Sequence, residues 1–233
     1  LGLSGQLMAW VNNSEKKIIY QNDQGEWQSA FWPDGWEGIS AMTTNEDNWY
    51  FAALNGQLAS LDHYGQWKLW PLTEPVKQIK ALTFFNGRPY LIDENNQIKR
   101  YEVKEDTLVN GQKWNTDTLP AGEIAGLAIN GQVYVFYHDG QVLKLNNGRK
   151  QTFTLATIEP PLTGWLNCQL SFDGKSFYCL ESTGSRIIIY GLDGSVLGQY
   201  LIADSPVQAI AINQKDNIIY TLTSQGIQKL MMP

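Results

Sequence analysis

The chain has 233 residues, of which 43% are apolar, 12% aromatic and 17% charged, and its nine tryptophans exclude a disordered segment. A formal charge of −6 and a pI near 4.9 argue against a phosphate-binding surface, since nucleic-acid affinity rests on clustered Lys and Arg. The longest apolar runs, such as Tyr134–Tyr137 and Ile187–Tyr190, fall far short of the roughly 18 residues that a membrane span needs.

In chain order, one unit recurs. Its first turn falls at Gly5, Asp47, Gly87, Gly131, Gly174 and Asn217, at steps of 42, 40, 44, 43 and 43 residues. After each turn comes a β-branched and aromatic run: Gln6–Val11, Trp49–Leu54, Pro89–Ile92, Gln132–Phe136, Ser176–Leu180 and Ile218–Leu222. A second turn follows, at Asn13-Ser14, Asn55-Gly56, Asn95-Asn96, Asp139-Gly140, Thr183-Gly184 and Gln225-Gly226, and then a third strand. Asn-Gly and Asp-Gly pairs supply the positive φ that tight hairpins require. A fourth strand is expected at Glu26–Phe31, Gln66–Trp70, Lys113–Thr118, Gln151–Leu155 and Val196–Leu201. Four short antiparallel strands per repeat of about 40–50 residues is the signature of a β-propeller.

The predicted fold is therefore all-β, a six-bladed β-propeller of four-stranded antiparallel blades. It is read as one domain with blades near 1–38, 39–78, 79–123, 124–161, 162–206 and 207–233. The chain opens at Leu1 inside an innermost strand, which reads as a processed start, and the last blade stops after its third strand. Residues outside the segment are expected to supply the missing outer strand; otherwise the edge at 227–231 is open to another chain.

The stretch Phe177–Leu197, FYCLESTGSRIIIYGLDGSVL, resembles the NHL-type propeller repeat, with its polar turn, Arg-Ile pair, aromatic and Asp-Gly in order. Asn217–Thr223, NIIYTLT, is similar to bacterial YVTN-like repeats. These two blades cover about a third of the chain, and the resemblance implies architecture rather than an activity.

Neither His63 nor His138 has metal-like spacing, and no nucleophile elbow or phosphate-binding loop occurs. His63 reads as an exposed turn residue. His138 lies in a second-turn loop, on the face that also carries the blade-to-blade connections, where propellers usually bind ligands. Trp36, Glu37, His138, Trp165, Glu181 and Arg186 are the candidate binding residues of that face, and no catalytic residue is assigned. A ring of oxygen ligands there would suit Ca²⁺, although no cofactor is expected. The alternative reading for such Trp is packing between sheets, and for the carboxylates solvation in turns.

Cys168 and Cys179 flank Asp173-Gly174 symmetrically. A two-residue loop sets them opposite each other, within disulfide range, whereas a three-residue loop sends them to opposite faces. A bridge would point to the periplasm or the exterior, the expected location, and two free thiols would leave the cytosol open.

The function expected from these features is a non-catalytic, protein-binding scaffold, part of a larger extracytoplasmic bacterial assembly, with a protein partner and no nucleic acid. Two alternatives stand beside it. Propellers that the chain resembles include lactonase-like hydrolases with a channel metal, for which Glu37, Asp93, Glu181 and Asp204 would be the ligands. A carbohydrate-binding propeller would use Trp36 and Trp165 as stacking platforms.

Overall fold

The computed structural model describes residues 1–45, 47–202 and 205–232, and among them there is no helix. The chain is a six-bladed β-propeller of antiparallel sheets, with five blades of four strands and one of three. It divides into two compact units, Leu1–Leu119 and Pro120–Pro233, with three blades in each.

In the first unit, blade 1 comprises β1 (Gly2–Ser4), β2 (Leu7–Asn12), β3 (Lys17–Gln21) and β4 (Trp27–Phe31). Blade 2 comprises β5 (Ile39–Thr44), β6 (Asn48–Ala53), β7 (Leu58–Asp62) and β8 (Trp67–Leu69). Blade 3 comprises β9 (Ile79–Phe85), β10 (Arg88–Asp93), β11 (Ile98–Lys104) and β12 (Thr107–Lys113). In the second unit, blade 4 comprises β13 (Ile124–Ile129), β14 (Val133–Tyr137), β15 (Val142–Asn146) and β16 (Arg149–Gln151). Blade 5 comprises β17 (Trp165–Leu170), β18 (Ser176–Glu181), β19 (Arg186–Gly191) and β20 (Val196–Leu201). Blade 6 comprises β21 (Ala209–Asn213), β22 (Ile218–Thr223) and β23 (Gly226–Met231), whose outer edge has no strand partner among the described residues.

The core lies between neighbouring blades, which explains why the second strands are apolar throughout instead of alternating. Successive side chains of a strand point to opposite faces, and in the middle blades both faces are covered. On β6, Trp49, Phe51 and Ala53 join the cluster shared with blade 1, while Tyr50 and Ala52 join the one shared with blade 3. On β18, Phe177 and Cys179 pack towards blade 4, and Tyr178 and Leu180 towards blade 6.

Two fourth strands differ from expectation. In blade 3 the chain returns at once through Glu105-Asp106, both at positive φ (45° and 63°), so the outer strand is Thr107–Lys113 and not Lys113–Thr118. Without a glycine this tight turn leaves no strong signal in the sequence. In blade 4, Asn147-Gly148 turns at φ 49° and 79°, and β16 starts directly after it. The chain then leaves the sheet at Gln151, where a strand to Leu155 was expected.

Candidate functional site

The best-built feature of the second unit is the corner where blade 4 meets blade 5. Asp139-Gly140 turns β14 into β15, closed by Tyr137 N–H donating to Gln141 O at 2.9 Å and Gly140 N–H to Tyr137 O at 3.0 Å. The incoming connection is seated against this turn. Trp165 N–H donates to His138 O at 3.2 Å, and its indole N–H to Gly140 O at 3.1 Å. Gly164, at φ 132°, permits this approach, since a Cβ there would lie 2.1 Å from His138 O.

Glu181, ending β18, and Arg186, opening β19, form a buried ion pair. Arg186 donates to both Glu181 oxygens, at 2.7 and 3.1 Å. Its remaining donors go to Pro160 O at 2.7 Å, Pro161 O at 3.3 Å and Gln199 Oε1 at 3.3 Å. Glu181 Oε1 also accepts from Thr163 N–H at 3.1 Å. Burial pushes the Glu181 carboxyl upward, but the Arg186 guanidinium and the Thr163 donors outweigh it and hold the group below the usual carboxylate range. Five hydrogen bonds from this pair thus reach each other and the 160–163 backbone, fixing the connection as a wall.

That wall encloses a groove of about 560 Å³ together with β15 and the segment 153–159. Its lining is mainly apolar, with Val142, Phe153, Leu155 and Leu162 prominent; Glu159 supplies a carboxylate and Tyr190 a phenol. Burial pushes the Tyr190 phenol up to about 12, so the side chain stays neutral. The short β16 leaves one more group exposed to the groove. It pairs with β15 only from Lys144 to Asn146. Gln141 bonds to Tyr137 on the inner side and Val142 is its neighbour, so the Val142 N–H and C=O point outward to the unpaired edge. Among the described residues no hydrogen bond reaches them from that side.

The predicted binding residues separate into two groups. Trp36 and Glu37 belong to the first unit. Trp36 is buried in the cluster between blades 1 and 2, edge-on to Trp67 at 6.0 Å, and Glu37 is exposed beside it. His138, Trp165, Glu181 and Arg186 come together at the corner just described. Trp165 is fully buried and edge-on to Tyr190 at 5.9 Å, so neither Trp36 nor Trp165 offers an open ring face to a sugar. His63 is corrected from an exposed turn residue: it is half-buried, 4.7 Å from the Trp49 ring, with Nε2 3.2 Å from Ser4 Oγ. Of the four carboxylates considered for a metal, Asp93 accepts from Asn95 N–H and Gln97 N–H and forms an ion pair with Lys99 at 3.7 Å, Glu181 is held by Arg186, and Glu37 is exposed on the surface. Asp204 lies outside the described residues. No group of three or more His, Cys, Asp or Glu with metal-binding geometry occurs among the described residues.

The run 159–165 was legible as part of the binding face, but Phe153 and Leu155 were missed because Gln151–Leu155 alternates like a strand. The one available signal was the Glu159-Pro-Pro161 run, which cannot continue a sheet.

No family model and no curated protein matches the chain. Solved structures do. A selenomethionine-substituted virginiamycin B lyase from Staphylococcus aureus aligns at a TM-score of 0.61 with 16% identity, over 99% of this chain and 83% of that one. A streptogramin B lyase aligns at 0.54 with 14% identity, over 97% and 79%. The computationally designed Ika8 protein aligns at 0.57 with 16% identity, over 98% and 83%. The first two correct the expectation of a non-catalytic, protein-binding scaffold that is no enzyme, which rested on the lack of a local catalytic motif. Propellers of this fold include named lyases, and a site assembled from separate loops leaves no such motif. At 14–16% identity the likeness is one of fold: the chain is a six-bladed propeller whose blades resemble those of enzymes and of a designed protein alike.

Proposed function

We propose that the chain is a small-molecule-processing propeller whose working site is the groove between blades 4 and 5. The observation that carries this reading is the groove's construction. Its volume falls within the roughly 300–1,000 Å³ of small-molecule sites, with apolar walls and a few convergent polar groups. Those groups specify a ligand: the outward N–H and C=O of Val142 match an amide, and Phe153, Leu155 and Leu162 match apolar groups on either side. Glu159 is the carboxylate placed to accept a proton and Tyr190 the neutral hydroxyl placed to donate a hydrogen bond, the pairing that a base-assisted elimination uses. The lyase names of two fold neighbours favour that reaction class.

The test is ligand-observed NMR with N-acetylated amides of apolar amino acids and of O-acylated serine, followed by turnover assays on the latter, in which removal of the α-proton expels the β-carboxylate as leaving group and leaves a carbon–carbon double bond. Binding is expected in the natural protein, lost in Leu162→Trp, and retained without turnover in Glu159→Gln. A library that yields no binder, or binders indifferent to Leu162→Trp, overturns the reading.

A further inference from the structure

The only two cysteines of the chain lie in blade 5, in the same apolar cluster as the groove walls but with no part in the site described above. Cys168 on β17 and Cys179 on β18 are direct partners in the strand register, both buried and both free thiols. The hairpin loop is four residues, Phe172–Lys175, rather than two, but an even loop keeps the same register, and the sulfurs share a face.

The pairing type can be read from the turn. Ser171 N–H donates to Ser176 O at 2.8 Å, which makes that a hydrogen-bonded pair. Pair types alternate along an antiparallel ladder, and Cys168 with Cys179 is three steps further on, hence a non-hydrogen-bonded pair. Such pairs bring Cα atoms to about 4.5 Å, inside the roughly 4.4–6.8 Å that disulfides span. Trp165, Tyr190 and Phe177 close the cluster around them, and burial, with the Cys179 thiol beside it, pushes the Cys168 thiol well above its ordinary pKa.

We propose that Cys168 and Cys179 are the site of a reversible cross-strand disulfide within blade 5. With a small disulfide oxidant of the glutathione type, one cysteine thiolate attacks and forms a mixed disulfide, releasing one glutathione thiol. The second cysteine then displaces the other. Two protein thiols and one oxidant disulfide become one protein disulfide and two small thiols, so electrons and protons balance. Burial of both sulfurs makes the first attack depend on opening of the β17–β18 hairpin, so the reaction is slow in the native chain and faster in mild denaturant.

The experiment equilibrates the whole chain with oxidised and reduced glutathione, with and without strong denaturant, traps free thiols with N-ethylmaleimide, and maps peptides by mass spectrometry. The expected result is a Cys168–Cys179 link, about 2 Da lighter than the dithiol, released by dithiothreitol. Its equilibrium constant in the folded chain should exceed that in the unfolded chain by at least about tenfold, because the native register holds the sulfurs together. Equal or weaker linkage in the folded chain, or glutathione adducts on separate cysteines, overturns the proposal. Cys168→Ser should abolish the link and leave Cys179 alkylated; if that variant fails to fold, the folded-to-unfolded ratio in the natural chain still decides the matter.

Discussion

The boundary between blades 1 and 2 and that between blades 4 and 5 are built from the same parts and end differently. In the first, the connection that follows β4 carries Trp32 and Trp36 into the cleft, where Trp36, Trp67 and Phe51 meet edge to face at 5.4–6.0 Å and fill it. In the second, the connection is longer, leaves the sheet early and carries Phe153, Leu155 and Leu162, which leave a groove of about 560 Å³. At these two boundaries the difference lies in the fourth strand together with the length of the connection that follows it. β4 pairs with β3 along its full length, whereas β16 covers three of the five residues of β15.

Substitutions that break the two walls should have the largest effects. Trp36→Ala should cost about 3–5 kcal/mol in urea unfolding, as for a large buried aromatic. Arg186→Ala should cost a similar amount, about 3–5 kcal/mol, because it leaves the buried Glu181 carboxylate unpaired and frees the 160–163 wall. An intermediate loss, more than about 1 kcal/mol, is expected of Gly164→Ala, whose Cβ would meet His138 O.

Adding volume sharpens the contrast. Ala53→Leu in the filled cleft should cost about 1–3 kcal/mol by overpacking, whereas Leu162→Trp at the groove should cost less than that range while abolishing ligand binding. Equal costs for the two would mean that the groove is not open space.

The smallest effect is a pH dependence. The Glu181 carboxyl is held below its ordinary value in the folded chain, so the stability it contributes is present above the ordinary carboxylate pKa of about 4.3. That contribution is lost as pH falls through the lower folded value. In acid titrations of thermal stability, the natural protein should therefore lose more stability below about pH 4 than Glu181→Gln, which carries no ionisable group there. Parallel acid limbs would mean that the ion pair does not govern this corner.

Much of the architecture was legible in the chain. The Asn-Gly and Asp-Gly turns, the aromatic runs and the near-constant spacing gave six blades, because hairpin chemistry is local. The facing of Cys168 and Cys179 was one of two registers the turn allowed, and the structure selects it with a loop of four residues. Less of the site was legible. His138, Trp165, Glu181 and Arg186 converge as neighbours, but the groove beside them is also lined by Val142 and Tyr190, which do not stand out in the sequence, and by Glu159, which only the Glu-Pro-Pro run signals.

By itself the sequence determined where strands begin, how they turn and how many blades they make, since positive-φ turns and β-branched runs act over a few residues. Only the tertiary structure decided that the two tryptophans are core, that the carboxylate of Glu181 is spent on Arg186, and that blade 4 stops short of closing its edge. The physical reason is that a buried ring, an ion pair and an unpaired strand edge are each defined by what lies across the cleft, and those partners come from residues distant in the chain.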